Sequence, residues 1–147
     1  MDIRIMTIDD YEQVYALWLS CKGMGLNSID DSREGIERYL KRNPETCFIA
    51  EDGGKAVGVI ISGHDGRRGF IYHTAVSPDY RRQGIAAALV ERAAEALKKE
   101  GIAKAALVVF AENENGNAFW EKIGFTERTD LVYRNKTLDA NMKKINT

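Results

Sequence analysis

The sequence predicts a mixed α/β fold, an α+β arrangement in which helices flank a mostly antiparallel central sheet. The turn signal Asp52-Gly53-Gly54 separates two strand-like segments, residues 47–50 and 55–62, and predicts a β-hairpin. A helical pattern over residues 83–100 lies between strand-like segments at 70–76 and 105–110, which predicts one right-handed crossover. The 147 residues contain no repeat and no linker, so one domain spanning residues 1–147 is expected.

The remaining elements follow from apolar spacing and from helix-start and helix-stop residues. They are a first strand over residues 2–6, a helix from Thr7 to near Gly23, a helix from Asp31 or Ser32 to before Pro44, a short helix over residues 113–122 and a last strand within residues 125–138. The predicted order is therefore β-α-α-β-β-β-α-β-α-β. The exposed last strand could pair across a dimer, so both a monomer and a homodimer remain open.

Composition excludes several classes of function. The formal net charge is −1, so no global field attracts nucleic acid or anionic lipid. Apolar runs such as residues 57–61 are far too short to span a membrane, and no signal peptide is expected before the first strand. The two cysteines, Cys21 and Cys47, form neither a disulfide framework nor a zinc site. We expect reduced thiols, no metal and a cytoplasmic location.

The most informative stretch runs from Val76 to Leu89, where a strand ends, a basic loop follows and a helix starts at once. The free amide groups of a first helical turn, together with the helix dipole, favour a phosphate or pyrophosphate. Gly84 lets the backbone approach an anion closely, and Arg81 and Arg82 add positive charge. The P-loop and dinucleotide-binding patterns are both absent from the chain.

At these residues the sequence resembles the GNAT superfamily, the Gcn5-related N-acetyltransferases. The family's loop pattern is an Arg or Gln followed by Gly three residues later and by Gly or Ala two residues after that, and Arg81, Gly84 and Ala86 match it. A second family segment is similar to Asn113 together with residues 119–125. Within the superfamily, the chain is most similar to ribosomal-protein N-terminal acetyltransferases and related uncharacterised bacterial enzymes. The resemblance implies the acyl-CoA N-acyltransferase fold.

The resemblance also implies that acetyl-coenzyme A is the co-substrate. Its pyrophosphate would bind the loop, and its pantetheine arm would pair with the exposed backbone of the preceding strand. A backbone amide near Val76 would polarise the thioester carbonyl. The implied cofactor-binding residues are Thr74, Ala75, Val76, Arg81, Arg82, Gln83, Gly84, Ile85, Ala86, Ala87, Asn113 and Trp120.

The implied reaction is direct attack by a primary amine on the thioester, which needs a proton acceptor for the amine and usually a Tyr that protonates the leaving thiolate. Trp120 stands at the position of that Tyr, and Val108 stands where ribosomal-protein acetyltransferases carry a Glu. The replacement candidates are His73, Tyr133 and Glu112, with Tyr72 and Tyr80 as further possibilities. Because Tyr72 and His73 are neighbours on one strand, only one of them is expected to reach the cleft.

The acceptor remains open between a protein or peptide N-terminus and a small-molecule amine. The alternative function is a CoA-binding module or sensor without catalysis, which the missing Tyr and Glu would favour. Acetyl is the family's default acyl group, and the small residues Thr74 and Ala75 leave propionyl open.

Overall fold

The computed structural model describes residues 1–145 and contains one five-stranded sheet with helices on both faces. The strands are β1 (Asp2–Ile5), β2 (Phe48–Asp52), β3 (Lys55–His64), β4 (Gly69–Val76) and β5 (Ala105–Ala106), and the helices are α1 (Tyr11–Leu19), α2 (Arg33–Arg42), α3 (Ile85–Lys99) and α4 (Glu114–Lys122). The sheet order is β1-β2-β3-β4-β5, with antiparallel pairs throughout except for the parallel pair β4–β5. This confirms the predicted mixed, mostly antiparallel α/β fold.

Strand β3 is the centre of the molecule because both of its faces are covered. Eight consecutive residues from Ala56 to Gly63 are buried, which explains why this strand reads as an apolar run without alternation. On one face the core includes α1 and α2, with Trp18 completely buried. On the other face α3 packs through Leu89 and Ala93, which are both inaccessible to solvent.

The first helix is shorter than predicted, because a 3₁₀ turn over Ile8–Asp10 precedes α1 and α1 ends at Leu19, before the expected stop near Gly23. Ser32 caps α2 by accepting the Gly35 amide hydrogen at 3.0 Å, which decides between the two predicted starts. Helix α3 begins at Ile85, two residues later than predicted, because Gly84 in the left-handed region is its N-cap. A 3₁₀ turn over Pro78–Tyr80 was not predicted. None of the helices described between residues 1 and 145 is long and apolar enough to cross a membrane.

The C-terminal region departs from the prediction. Residues 125–138 form no strand, and β5 has two residues where six were predicted. Strand β5 ends after its two paired residues, so it has no further backbone edge to which residues 131–133 could hydrogen-bond. These three residues are exposed. The chain instead returns to the loop after α1, where the Ser28 amide donates to the Lys143 carbonyl at 2.8 Å. We call residues 126–138 the C-terminal arm.

Candidate active site

A cleft opens where β4 and β5 separate. The two strands pair only at Gly69 with Ala105 and at Phe70 with Ala106, and beyond these pairs they diverge. The resulting cavity has a volume of about 2330 Å³ and is lined by β4, the start of α3, residues 107–111, α4, the α1–α2 loop and the C-terminal arm.

A β-bulge in β4 determines which side chains enter the cleft. Val59 pairs with Ala75 and Ile61 pairs with Tyr72, so His73 and Thr74 together stand opposite a single residue of β3. The extra residue lets Tyr72 and His73 point to the same face. The Tyr72 ring lies 5.8 Å from the Tyr39 ring of α2, and the His73 ring lies 5.1 Å from the Trp18 ring of α1.

Both side chains therefore line the cleft, and the expectation that only one of them reaches it was wrong. Strict alternation fails at this point because a bulge shifts the pleat by one residue. Burial raises the pKa of the Tyr72 hydroxyl, with smaller contributions from Tyr133 and Asp30 nearby.

The end of β4 presents free backbone groups to the cleft. The Ser77 amide donates to the Val57 carbonyl of β3 at 2.8 Å. Because backbone groups alternate along a strand, those of Val76 point away from β3, whereas those of Ala75 pair with it. The Val76 carbonyl is contacted by Arg81 Nε at 3.4 Å and by Cys21 Sγ at 3.6 Å. Of the three predicted strand residues, Val76 thus turns its amide away from β3, whereas its carbonyl is already contacted by Arg81 and Cys21.

The loop from Arg81 to Gly84 adopts two left-handed residues before α3. Arg82 has φ 64° and Gly84 has φ 77°, and nothing lies within 4 Å of a Cβ built on Gly84. The first helical bond in α3 runs from the Ala88 amide to the Gly84 carbonyl at 3.0 Å. The amides of Ile85, Ala86 and Ala87 therefore have no helical acceptor and face the open side of the loop.

Arg81 takes a different position from its two neighbours. Its guanidinium folds back over the end of β4, with Nη2 3.6 Å from Cys21 Sγ and Nε facing the Val76 carbonyl. The side chains of Arg82 and Gln83 stay exposed beside the loop. The loop therefore has one arginine that holds the strand end and one that is free for an anion.

Helix α4 forms the opposite wall of the cleft. Asn113 caps the helix by accepting the Gly116 amide hydrogen at 2.9 Å, and a Cβ on Gly116 would lie 2.5 Å from Asn113 Nδ2. The Trp120 ring packs edge-on against Phe119 at 5.0 Å and Phe125 at 5.2 Å. Both Asn113 and Trp120 line the cavity.

A buried His–Asp pair lies on the floor of the cleft. His73 Nε2 is 2.7 Å from Asp31 Oδ1, and the two side chains are 14% and 4% exposed. Asp31 Oδ2 also accepts the Asn27 amide hydrogen at 2.8 Å. The sequence did not reveal this contact, since nothing local connects residues 42 positions apart in the chain.

The other candidate side chains differ in whether they reach the cleft. Tyr133 is 66% exposed and lines the cleft from the C-terminal arm. Glu112 is exposed and is not among the residues that line the cleft. The Tyr80 hydroxyl donates to Asp52 at 2.8 Å, which raises the pKa of Tyr80. Within residues 1–145, no three His, Cys, Asp or Glu side chains lie together in a way that could hold a metal ion.

Comparisons with known proteins agree with this geometry. Residues 11–125 match the model of the acetyltransferase (GNAT) family. An acetyltransferase of Sodalis glossinidius is 36% identical over 138 residues, which cover 94% of this chain and 96% of that protein. An acetyltransferase of Photorhabdus laumondii is 38% identical over 128 residues, or 87% and 88% of the two chains.

Solved structures show the same fold. The ribosomal-protein-S18-alanine N-acetyltransferase of Escherichia coli has a TM-score of 0.72 at 26% identity and covers 87% of this chain and 79% of its own. The PaiA N-acetyltransferase of Thermoplasma acidophilum, solved with coenzyme A, has a TM-score of 0.74 at 21% identity, with 85% and 89% covered. With a family model over most of its length and relatives above 30% identity, this chain belongs to the GNAT family of acetyltransferases.

Proposed function

We propose that this acetyltransferase uses acetyl-coenzyme A and transfers its acetyl group to a primary amine. The observation that carries the proposal is the splayed edge of β4, which is joined by a 3₁₀ turn and a short loop to the free amides at the start of α3. A chain of pantetheine amides needs a strand edge, and a pyrophosphate needs a helix start. Coenzyme A in the structure of the PaiA enzyme, which shares this fold, supports the assignment.

The exposed backbone of the loop and of β4 indicates which residues would bind each part of coenzyme A. The amides of residues 82–87 would hold the pyrophosphate, and the free side chain of Arg82 would add a charge-assisted bond. The backbone of Thr74 and Val76 would pair with the pantetheine arm between β4 and Asn113. In this assignment Arg81 supports the strand end and contributes little to the phosphates, because its guanidinium is already engaged.

The same assignment would put an amide donor where charge develops during the reaction. By its position in β4, the Val76 N–H would face the end of the pantetheine arm. A preorganised amide of this kind stabilises the oxyanion of a tetrahedral intermediate and is typically worth about 3 kcal/mol of barrier. We assign this role to Val76.

The leaving thiolate needs a different proton donor from the family's usual Tyr, since Trp120 has no acidic proton. Tyr133 is our candidate, because it lines the cleft beside Tyr72 and influences the pKa of that residue. We do not propose Glu112 as the base, because it does not line the cleft. A cytoplasmic location is also proposed, supported by two buried free thiols.

The acceptor would enter between the α1–α2 loop and the C-terminal arm, at the end of the cleft opposite to α3. Asp30 and Tyr72 lie there, and so do the cationic side chains of Arg38 and Arg42. Among enzymes that share the fold, one is a ribosomal-protein-alanine acetyltransferase and another is an aminoglycoside 6′-N-acetyltransferase. Peptide N-termini and small amines are therefore the two acceptor classes to test.

The test is incubation of the purified protein with acetyl-coenzyme A and a panel of N-terminal peptides, amino acids, polyamines and aminoglycosides. Products are identified by mass spectrometry, and coenzyme A binding is titrated in parallel. We expect one panel class to be acetylated, with propionyl-coenzyme A as a second donor to define acyl length. Binding without transfer to any amine would favour a non-catalytic CoA-binding module, and absence of binding would refute the proposal.

A further inference from the structure

We propose that His73 is the base that accepts the proton of the acceptor amine and that Asp31 is the residue that positions it. The inference rests on the proposed function and deepens it, because Val108 replaces the Glu of ribosomal-protein acetyltransferases and the sequence left the base open among several candidates. The observation behind it is the buried contact between His73 Nε2 and Asp31 Oδ1 at 2.7 Å on the floor of the cleft.

Asp31 is held so that its carboxylate can orient a second group. One of its oxygens faces His73, and the other accepts the Asn27 amide hydrogen at 2.8 Å. Its backbone carbonyl accepts the Tyr11 hydroxyl at 2.7 Å, which fixes the chain at this position to α1. Only 3% of Asp31 is exposed, so no solvent competes for these bonds.

The pairing determines which imidazole nitrogen is free. A carboxylate accepts only, so the nitrogen that faces it, Nε2, carries the hydrogen. In a neutral imidazole the other nitrogen, Nδ1, then has the lone pair. Within residues 1–145, Nδ1 of His73 has no hydrogen-bond partner, and it is free to accept a proton from a ligand.

The β4 bulge turns the His73 side chain, and with it Nδ1, toward the cleft. His73 follows Tyr72 on the cleft-facing side and directly precedes Thr74, whose backbone we assign to the pantetheine arm. The buried Trp18 ring, 5.1 Å away, blocks the side toward α1. The imidazole is thus confined between a carboxylate, an indole and the open cleft.

Other titratable groups face the same region from each neighbouring element. The α1–α2 loop contributes Asp30 in addition to Asp31, the end of α1 contributes Cys21, and α2 contributes Arg38 and Arg42. Aromatic hydroxyls come from Tyr39, Tyr72 and Tyr133. Burial raises the pKa of Tyr39 and of Tyr72 above the ordinary tyrosine value, so both stay protonated near neutral pH and neither competes as a base.

The proton balance of the step is complete. The ammonium form of the acceptor gives one proton to His73 Nδ1, and the neutral nitrogen forms a C–N bond with the thioester carbonyl carbon. The C–S bond breaks and its electron pair leaves on sulfur. A second proton leaves the nitrogen and ends on the thiolate, and His73 returns its proton to solvent. The products are an amide, free coenzyme A and one proton.

The chain supplies a matched control, because its other histidine is also paired with a carboxylate. His64 Nε2 lies 2.8 Å from Glu100 Oε1, and neither residue lines the cleft. His64→Gln is expected to retain wild-type kcat and pH profile. His73→Gln is expected to lower kcat by about 10²–10⁴-fold, with acetyl-coenzyme A affinity within twofold of wild type and loss of the acidic limb of the kcat profile.

In Asp31→Asn, kcat should still fall at low pH, but this acidic limb of the profile should lie at lower pH than in the wild type. The kcat value should be reduced by about tenfold or more. This result separates positioning from mere support, since a purely structural loss would reduce the active fraction and leave the limb in place. Added imidazole should restore part of the activity of His73→Ala and none of that of Asp31→Asn. An unchanged acidic limb in His73→Gln would overturn the proposal.

One measurement avoids any variant in the cleft that could fail to fold. In His64→Gln, His73 is the single remaining histidine, because the chain has two. Its ¹⁵N chemical shifts should show hydrogen on Nε2, and its titration midpoint should coincide with the acidic limb of kcat. Hydrogen on Nδ1, or a midpoint that differs from the limb, would overturn the inference. Coenzyme A binding without any transfer by the wild type would instead refute the proposed function, and the inference with it.

Discussion

Gly58 lies directly beneath Ile85, the first residue of α3. A Cβ built on Gly58 would lie 3.0 Å from Ile85 Cγ2 and 3.1 Å from Leu89 Cδ1, which is tighter than ordinary van der Waals contact. The central strand and the first turn of α3, the helix proposed to bind the pyrophosphate, therefore meet without a side chain between them. The close approach ties the position of the loop to the packing of β3.

Gly58→Val should displace the first turn of α3 and lower the free energy of unfolding by about 1–3 kcal/mol through overpacking. Because the loop amides move with the helix, coenzyme A affinity should fall by about tenfold or more. The control is Gly69→Val, whose Cβ would contact Leu97 Cδ1 at 3.0 Å near the other end of α3. Equal losses of affinity in both variants, measured by calorimetry, would contradict this account.

Gly84→Ala should weaken coenzyme A binding more than it affects stability. Gly84 has φ 77° and open space above it, so alanine costs about 1 kcal/mol in the left-handed region without a clash. Gly101, at the opposite end of α3, has φ 86° and equal space, and Gly101→Ala is the matched control. Thermal melts should shift alike in the two variants. Titration with coenzyme A should detect a loss of affinity only in Gly84→Ala.

The Arg4–Asp10 ion pair should make stability depend on acid pH. Burial alone would raise the pKa of Asp10, but hydrogen bonds from Arg4 at 2.8 and 3.0 Å and from the Thr7 amide bring that pKa below its ordinary value. A lowered folded-state pKa stabilises above the unfolded value of about 4, and the contribution is lost as pH falls through the folded pKa.

We therefore expect Asp10→Asn to cost about 2 kcal/mol at pH 7 and progressively less below pH 4, measured by urea unfolding at several pH values. Asp130→Asn breaks an ion pair with Arg128 whose two side chains are 63% and 55% exposed, and should have no measurable effect. A pH-independent cost for Asp10→Asn would show that the loss is steric, not electrostatic.

Cys47 should resist alkylation until the protein unfolds. Burial raises the pKa of its thiol to about 12, and Sγ donates to the Ser62 carbonyl at 3.2 Å, so almost no thiolate exists at pH 8. With iodoacetamide and peptide mapping by mass spectrometry, labelling of Cys47 should follow the urea unfolding curve. The Cys47→Ser variant identifies the signal of Cys21. Labelling of Cys47 in the folded protein at the rate of a free thiol would contradict the prediction.

The sequence by itself determined the fold class and the family, because these depend on local signals. Turn glycines and apolar spacing each act over a few residues, and the strand order and the family match over residues 11–125 confirm the fold class and the family. The assignment of the Arg81 to Ala86 loop to an anion stays a prediction, and only the structure showed that Gly84 is left-handed.

Only the tertiary structure decided what surrounds the cleft. The β4 bulge that turns Tyr72 and His73 to one face depends on register with β3, which no local pattern in residues 69–76 reveals. The pairing of His73 with Asp31 joins a strand to a distant loop. A last strand was predicted within residues 125–138, but a strand needs a partner edge, and β5 ends after two residues. Contacts of this kind are set by how packed elements meet, which sequence spacing does not encode.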